Sequence, residues 1–424
     1  MDAPTAAVGP VPPDVRTAYV ALCLRLRRLR PELVDVVAVD ARLRRAVDAE
    51  PVPTAADLVR EAGRLAEAVA DAGLAPSAER FVAAGLRAVE WRARRLAGQG
   101  VPFAREIREC LDLDEPVGLG DPDAYRAVHH ELSALLPGPG PLAARLAAHR
   151  RHDAVPADRL GPAVRALTAA LRDRVAPDHA LPATESVDCR LVADAPWRAL
   201  HTYRGGFASV VRFAAGGPPG VEAGRLPRLV AHETYPGHHV ECCHAERAVA
   251  RGRVELGVTV LGAPWTVVSE GLAECALDTA AGPGWGRWAA PVLATAGVVT
   301  DGALAERLDA LRAGLRPARL DAALVLHGAG RPGADARATA EAHLRRWLLL
   351  DDARARRVVD ALLRPLWRTQ VVAAVRGAAL VRDHLARAGA DADAVHRRLL
   401  DDPPTPGALR VRTGTASETS RDRR

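Results

Sequence analysis

A mainly helical fold is predicted by three features of this chain. Apolar residues recur at helical spacing through most of its length, only one stretch has the texture of strands, and Gly- and Pro-rich turns separate the periodic segments. At 424 residues the chain is long enough for one large two-lobed domain or two ordinary ones. It can bury a sizeable core without disulfides or metal staples.

The first 180 residues read as successive amphipathic helices. Tyr19, Leu22, Cys23 and Leu26 form one apolar stripe; Leu58, Ala62, Leu65 and Val69 a second; Val82, Leu86 and Val89 a third; Val164, Leu167, Leu171 and Val175 a fourth. Pro51-Val52-Pro53, the run from Gly118 to Pro122 and the run from Pro137 to Pro141 are turns. Between about 186 and 222 the texture changes. Tyr203 to Phe213, followed by the Gly/Pro run 216–220, is the best candidate for extended structure, a small β ribbon beside the helix that follows. Its segment from Ala208 to Phe213 is either structural or open to an extended peptide by strand addition. From Leu226 to Ala250 the chain is helical again, a helix follows from Thr266 to Thr279, and the remainder is helical to about Leu400. The expected division is an N-terminal helical lobe over 1–185, a metal-binding lobe over 186–400 and a disordered tail over 401–424.

Composition narrows the function classes. The chain has neither Lys nor Asn, so all 58 basic side chains are Arg, and against 52 acidic ones they leave a formal charge of only +6. Arg25, Arg27, Arg28 and Arg30 sit on a helix with an apolar opposite face and read as a solvated surface, so no nucleic-acid partner is expected. Met1 to Pro13 lacks a basic segment followed by an apolar one, and no run of eighteen apolar residues occurs, so no membrane association is expected. Six Cys without a CxxC pair suit a reducing compartment, and a cytoplasmic location is expected.

Five of the fourteen His lie between 201 and 244, and the densest part reads His232-Glu233-Thr234-Tyr235-Pro236-Gly237-His238-His239. Two His one helical turn apart reach a single Zn²⁺, and the Glu after the first serves as general base. Here the four-residue spacing lands on Pro236, and on a straight helix His238 would point nearly opposite to His232. Pro236 and Gly237 mark where a helix bulges, and looping out two residues returns His238 to the required place. His239 is the alternative ligand, on the same face as His232 but roughly 10 Å along the axis. Glu270 sits in an apolar helix, where a carboxylate needs a partner, and is the expected third ligand. Glu274, one turn on, is a candidate for binding the metal or orienting a ligand His from behind. Cys242, Cys243 and His244 form a rival group, but adjacent Cys suit core thiols better than a zinc motif.

These residues resemble the bacterial domain-of-unknown-function family 885, whose hallmark reads His-Glu-x-x-Pro-Gly-His-His, here His232 to His239. That family is similar to helical gluzincin peptidases such as the thermostable carboxypeptidases. Its second hallmark, Glu-Gly-Trp-Ala, corresponds to Glu270-Gly271-Leu272-Ala273, with Leu in place of Trp. The resemblance runs over roughly residues 185 to 385. It implies a gluzincin-like helical fold with a cleft between two lobes, His232, His238 and Glu270 as ligands of one Zn²⁺ per chain, and Glu233 as base. A looser match through Asp321 and Leu326-His327-Gly328 makes His327 a candidate for polarising the scissile carbonyl.

The expected activity is that of a zinc metallopeptidase acting on a peptide or small amide. A metal-bound but non-catalytic helical binding protein, and a zinc hydrolase of a non-peptide amide or ester, share the same residues. Arg368, Arg376 and Arg382 are positions from which a substrate carboxylate could be held.

Overall fold

The computed structural model describes residues 14–114, 117–193, 195, 197–215, 220–328, 334–365 and 367–414. The chain is mainly helical, and its helices begin where local chemistry provides a cap. Asp14 accepts the amide of Arg16 at the start of Val15–Leu29, and Thr54 with Asp57 forms a reciprocal capping box at Ala55–Val69. All four predicted stripes face inward, with Leu22, Leu58, Val82 and Leu167 fully buried.

Strands are few. β1 (Val34–Val36) pairs antiparallel with β5 (Val258–Val260). β2 (Ser186–Val192), β3 (Ala199–Gly205) and β4 (Ala208–Ala214) form a sheet of order β2-β4-β3, parallel between β2 and β4 and antiparallel in the β3–β4 hairpin. The hairpin tip is clamped to the helix His238–Ala250, whose Glu246 carboxylate accepts the amides of Gly206 and Phe207 and the hydroxyl of Tyr203. β4 is the central strand, with both edges paired, so the segment from Ala208 to Phe213 has no free edge for an added peptide and is structural.

The boundary expected at 185 does not separate two cores. One apolar cluster joins Leu160 to Val175 with Val211, Val230 and Leu272; another joins Tyr19 to Ala93 with Val258 and Ala263; a third joins Phe103 to Leu113 with Leu320 and Val372; a fourth joins Tyr125 to Leu146 with Leu308 and Trp347. The N-terminal helices bury their apolar stripes partly on one another and partly on C-terminal elements, so each cluster draws on both halves of the chain. The disordered tail is also corrected: Pro406–Gly414 is a helix, Leu409 is buried in the first cluster, and the amide of Gly407 donates to Asp112 at 3.0 Å. Residues 415–424 of that segment, and 216–219 of the Gly/Pro run, lie outside the described residues. Among the described residues no helix is long and apolar enough to cross a membrane.

Two close approaches position the site helices. Pro264–Ala281 packs on Gln370–Ala388 through paired glycines: a Cβ at Gly271 would lie 2.4 Å from the Gly377 carbonyl oxygen, and one at Gly377 would lie 2.0 Å from that of Val267. The loop before the first of these helices is held by Arg92, whose guanidinium donates to Leu261 O, Glu106 and Thr369 and lies over Gly262, at φ +71°. Glu106, fully buried, also accepts from Arg368 and lies 3.6 Å from Arg95. Removing this carboxylate strands buried guanidiniums, so Glu106→Ala is expected to lower unfolding stability by about 3–5 kcal/mol. A urea unfolding midpoint equal to wild type would contradict it.

Candidate metal centre

The helix Leu226–Glu233 is apolar on the face carrying Leu226 and Val230, both buried, and it ends one residue after His232. The Thr234 amide makes the last helical bond, to Val230 O. The Tyr235–Pro236 peptide is cis, and the Gly237 amide returns to Ala231 O at 3.1 Å. At Gly237 any side chain is excluded, because a Cβ would lie 1.9 Å from the His232 carbonyl oxygen. A new helix starts at His238. A break with two helices therefore replaces the expected bulge in one, with the same consequence for His238. Its ring meets that of His232 edge-on, with centroids 4.8 Å apart.

Glu270 enters from the helix Pro264–Ala281. One ligand atom each from His232, His238 and Glu270 lies within 4.8 Å of the other two, and His232 Nε2 is 3.8 Å from Glu270 Oε2. Tetrahedral ligands of one Zn²⁺ are about 3.3 Å apart, so small side-chain adjustments suffice. Two imidazoles and a carboxylate are a donor set that Zn²⁺ takes, with a fourth position left for water. All three side chains are about one-fifth exposed, which leaves them reachable from solvent.

Charges around the site reinforce this fit. His238 Nδ1 is 3.2 Å from Glu241, whose carboxylate also accepts from Trp265 Nε1 and Ser269 Oγ, leaving His238 Nε2 turned to the cluster. Burial opposes a charge on His238, but Glu241, Glu270 and Glu233 outweigh it and raise its pKa to about 10. Burial and then the charge of His238 hold His232 down to about 3. Burial pushes Glu270 up to about 7, against the pull of His238. Three carboxylates, Glu233, Glu241 and Glu270, thus face the two imidazoles, an arrangement that a divalent cation would suit. Glu233, 8% exposed, is raised by burial while the His201 amide bonds its carboxylate. Glu274 lies 4.0 Å from His232 Nδ1 and binds Arg316, which places it behind the ligand rather than among the three.

Three sequence expectations are corrected here. His239 points away from the cluster: its Nε2 donates to Glu185 at 2.8 Å and its Nδ1 accepts from Ser209, so it is not the alternative ligand. The reason is that His239, one residue later on the new helix, faces the β3–β4 hairpin. His327 is buried with its Nε2 donating to Leu362 O and its ring 5.1 Å from Phe103, so it sits in the third apolar cluster and is not brought to the ligands. Arg368 is spent on Glu106 and Val101 O, which removes it as a carboxylate anchor. Sequence reasoning missed Glu241, for which the i, i+3 spacing from His238 was a usable signal. It also missed His201 and Glu185, which carry no local signal. They close a buried chain in which His201 Nε2 donates to Ser209 Oγ, Ser209 to His239, and His239 to Glu185, where Tyr235 and Arg172 also donate.

No protein-family model matches this chain, and no curated protein matches it in sequence. Among solved structures it is similar to a "putative lipoprotein" from Colwellia psychrerythraea, with a TM-score of 0.49 and 14% identity over 92% of this chain. It is also similar to a "putative lipoprotein of unknown function" from Shewanella oneidensis, with a TM-score of 0.46 and 13% identity over 87% of this chain and 74% of that one. The chain spans 65% of the length of the Colwellia structure, less than two thirds.

Glu185→Ala leaves Tyr235, His239 and Arg172 without their shared acceptor, and is expected to cost about 3 kcal/mol of stability. Burial raises the Glu185 pKa, but hydrogen bonds from His239 and Tyr235 outweigh it and hold it below the ordinary value. Its contribution is therefore present above the unfolded carboxylate pKa and lost as pH falls below it. Denaturant unfolding of both proteins from pH 7 to pH 3 checks this: the gap should narrow on acidification, and a constant gap would refute the assignment.

Proposed function

We propose that this chain is a zinc-dependent hydrolase, in its simplest form a metallopeptidase, with His232, His238 and Glu270 holding one Zn²⁺ and Glu233 as general base. The observation that carries this reading is the convergence of those three ligand atoms within 4.8 Å, with the carboxylate of Glu233 next in sequence to the first ligand. A bound Zn²⁺ supplies a water of near-neutral pKa and polarises a carbonyl oxygen.

The chain's own residues do the rest. Glu233 takes a proton from the attacking water, and its buried setting raises its proton affinity toward the range a base needs at neutral pH. It then returns that proton to the leaving amine. Glu241, fixed by Trp265 and Ser269, keeps the His238 ring oriented, and Glu274 faces His232 from behind. A peptide or small amide is the substrate under this reading, and a cytoplasmic location belongs to the same proposal, supported by six cysteines none of which is in a disulfide.

Elemental analysis tests the site. About one zinc per chain is expected in wild type and in His239→Ala, and little in His232→Ala, His238→Ala or Glu270→Gln. Absence of zinc after reconstitution would sink the reading. Glu233→Gln should keep its zinc and lose peptide turnover by at least about 100-fold. Retained zinc with no turnover in wild type on peptide, amide and ester substrates would leave a binding protein instead.

Zinc uptake should also depend on pH. With the His238 pKa raised to about 10, the metal-free site carries a proton at neutral pH that zinc must displace. Affinity should therefore rise with pH, by about one log unit per pH unit through the neutral range. Glu241→Ala should weaken affinity about 10–100-fold. Chelator competition at three pH values reads both effects, and a flat profile would contradict the first.

A further inference from the structure

Three buried histidines from three segments meet outside the metal centre. His396, on the helix Ala392–Asp401, is fully buried, and neither of its ring nitrogens has a hydrogen-bond partner among the described residues. His244 lies on the helix that begins with His238; its Nδ1 donates to Asp401 at 2.7 Å, and its Nε2 is 2.9 Å from His179 Nδ1. The His179 ring, beyond the end of the helix Ala157–Val175, stands edge-on to both others, with centroids 5.2 Å from His244 and 6.0 Å from His396.

These contacts fix the protonation state. With its Nδ1 proton given to Asp401, His244 accepts from His179 only while Nε2 is bare, and a proton there would set two N–H groups against each other at 2.9 Å. A charged His396 would carry two donors into a place that offers neither an acceptor nor water. The surroundings give little relief. Arg247 and Arg251 act on His244 from its own helix, Arg397 acts on His396 and His179, and the carboxylate of Asp401 acts on His244. The helices Pro264–Ala281 and Gln370–Ala388 also pack on Ala392–Asp401, but bring no charged group to His396 among the described residues. Burial therefore holds His179 and His396 down to about 3 and outweighs the pull of Asp401 on His244.

The helix that these rings seat is also a cover. Leu400, near its end, and Pro403, just after it, line a cavity together with Glu241, Cys242 and Trp265, and Glu241 and Trp265 are the pair behind the ligand His238. The chain on either side is anchored independently, by Gln370–Ala388 before the helix and by the bonds of Gly407 and Arg410 to Asp112 after it. Ala392–Asp401 can thus leave its seat as a local opening.

We propose that the helix Ala392–Asp401 is an acid-released latch: protonation of His244 and His396 frees it from the His238 helix and opens the cavity behind Glu241 to solvent. The latch does not rest on a metal being bound at the centre. Rings held neutral in the seated helix regain an ordinary imidazole pKa of about 6.5 when it leaves. The released form then binds more protons, so seating is strongest above that value and weakens as pH falls below it, by about tenfold per pH unit for each ring. Asp401, held below the usual carboxylate range by its bond with His244, stays charged through this interval.

The test is hydrogen exchange of the full chain, read by mass spectrometry on peptides covering 392–405 at pH 7.5 and pH 5.5 and corrected for the intrinsic pH dependence of exchange. Opening should rise about 100-fold in wild type and about tenfold in His396→Leu. It should rise less than about threefold in His396→Leu combined with His244→Gln, whose amide accepts from His179 without taking up a proton. The helix Val15–Leu29 is the reference and should keep its protection at both pH values. An unchanged opening of 392–405 in wild type, or an equal rise in all three proteins, overturns the latch. Equal loss of protection in Val15–Leu29 also overturns it, since the chain would then be unfolding as a whole. If His396→Leu does not fold at pH 7.5, His396→Phe, which keeps a ring in the same place, is read against the same outcomes.

Discussion

The candidate site depends on one steric constraint, the contact of Gly237 with the carbonyl of His232. That carbonyl lies where a Cβ would be, 1.9 Å from it, so only glycine lets the chain turn back tightly enough for a second helix to start at His238. A longer connection would move the His238 ring off His232, and the two imidazoles would no longer share a ligand position with Glu270. A comparable constraint holds Glu270 itself, because Gly271 and Gly377 let two helix backbones meet where larger residues would force them apart. Glycine thus sets distances on both sides of the cluster.

Around this frame the charges are sorted rather than mixed. Glu233, Glu241 and Glu270 gather about the histidines, and guanidiniums gather at the far end by Glu222 and Glu274. Between them, Glu274 faces His232 on one side and Arg316 on the other. Where side chains are partly shielded from water, carboxylates gathered together are costly unless something completes them, since charges of one sign are poorly solvated there. A cation among the ligands would complete them. The buried His201–Ser209–His239–Glu185 chain has another role: it ties the β3–β4 hairpin to the His238 helix, so the second ligand rests on a braced element.

Much of this was legible in the residues. The stripes through Leu22, Leu58, Val82 and Leu167 foretold buried helix faces because helical periodicity is a local property. The His-Glu pair, the Pro-Gly break and a lone carboxylate among apolar residues pointed to His232, Glu233, His238 and Glu270, because desolvated charges need partners wherever they lie. Where the reading failed, long-range pairing decided. Ala208 to Phe213 was recognised as extended, but its place between β2 and β3 was not, since strand order is not a local property. The tail after Asp401 looked too polar to fold, yet the burial of Leu409 and Thr405 and the bonds of Gly407 and Arg410 to Asp112 seat its helix on the core.

Sequence by itself determined the helical class, the set of residue types able to hold a metal, and the glycines at the two tight contacts. Tertiary structure decided that His238 joins the cluster while His239 turns to Glu185, and that His327 and Arg368 serve the core. The physical reason is the same in each case. Spacing along a helix fixes direction over one or two turns, whereas the partner a polar group meets across tens of residues depends on how helices and strands pack, which local chemistry does not specify.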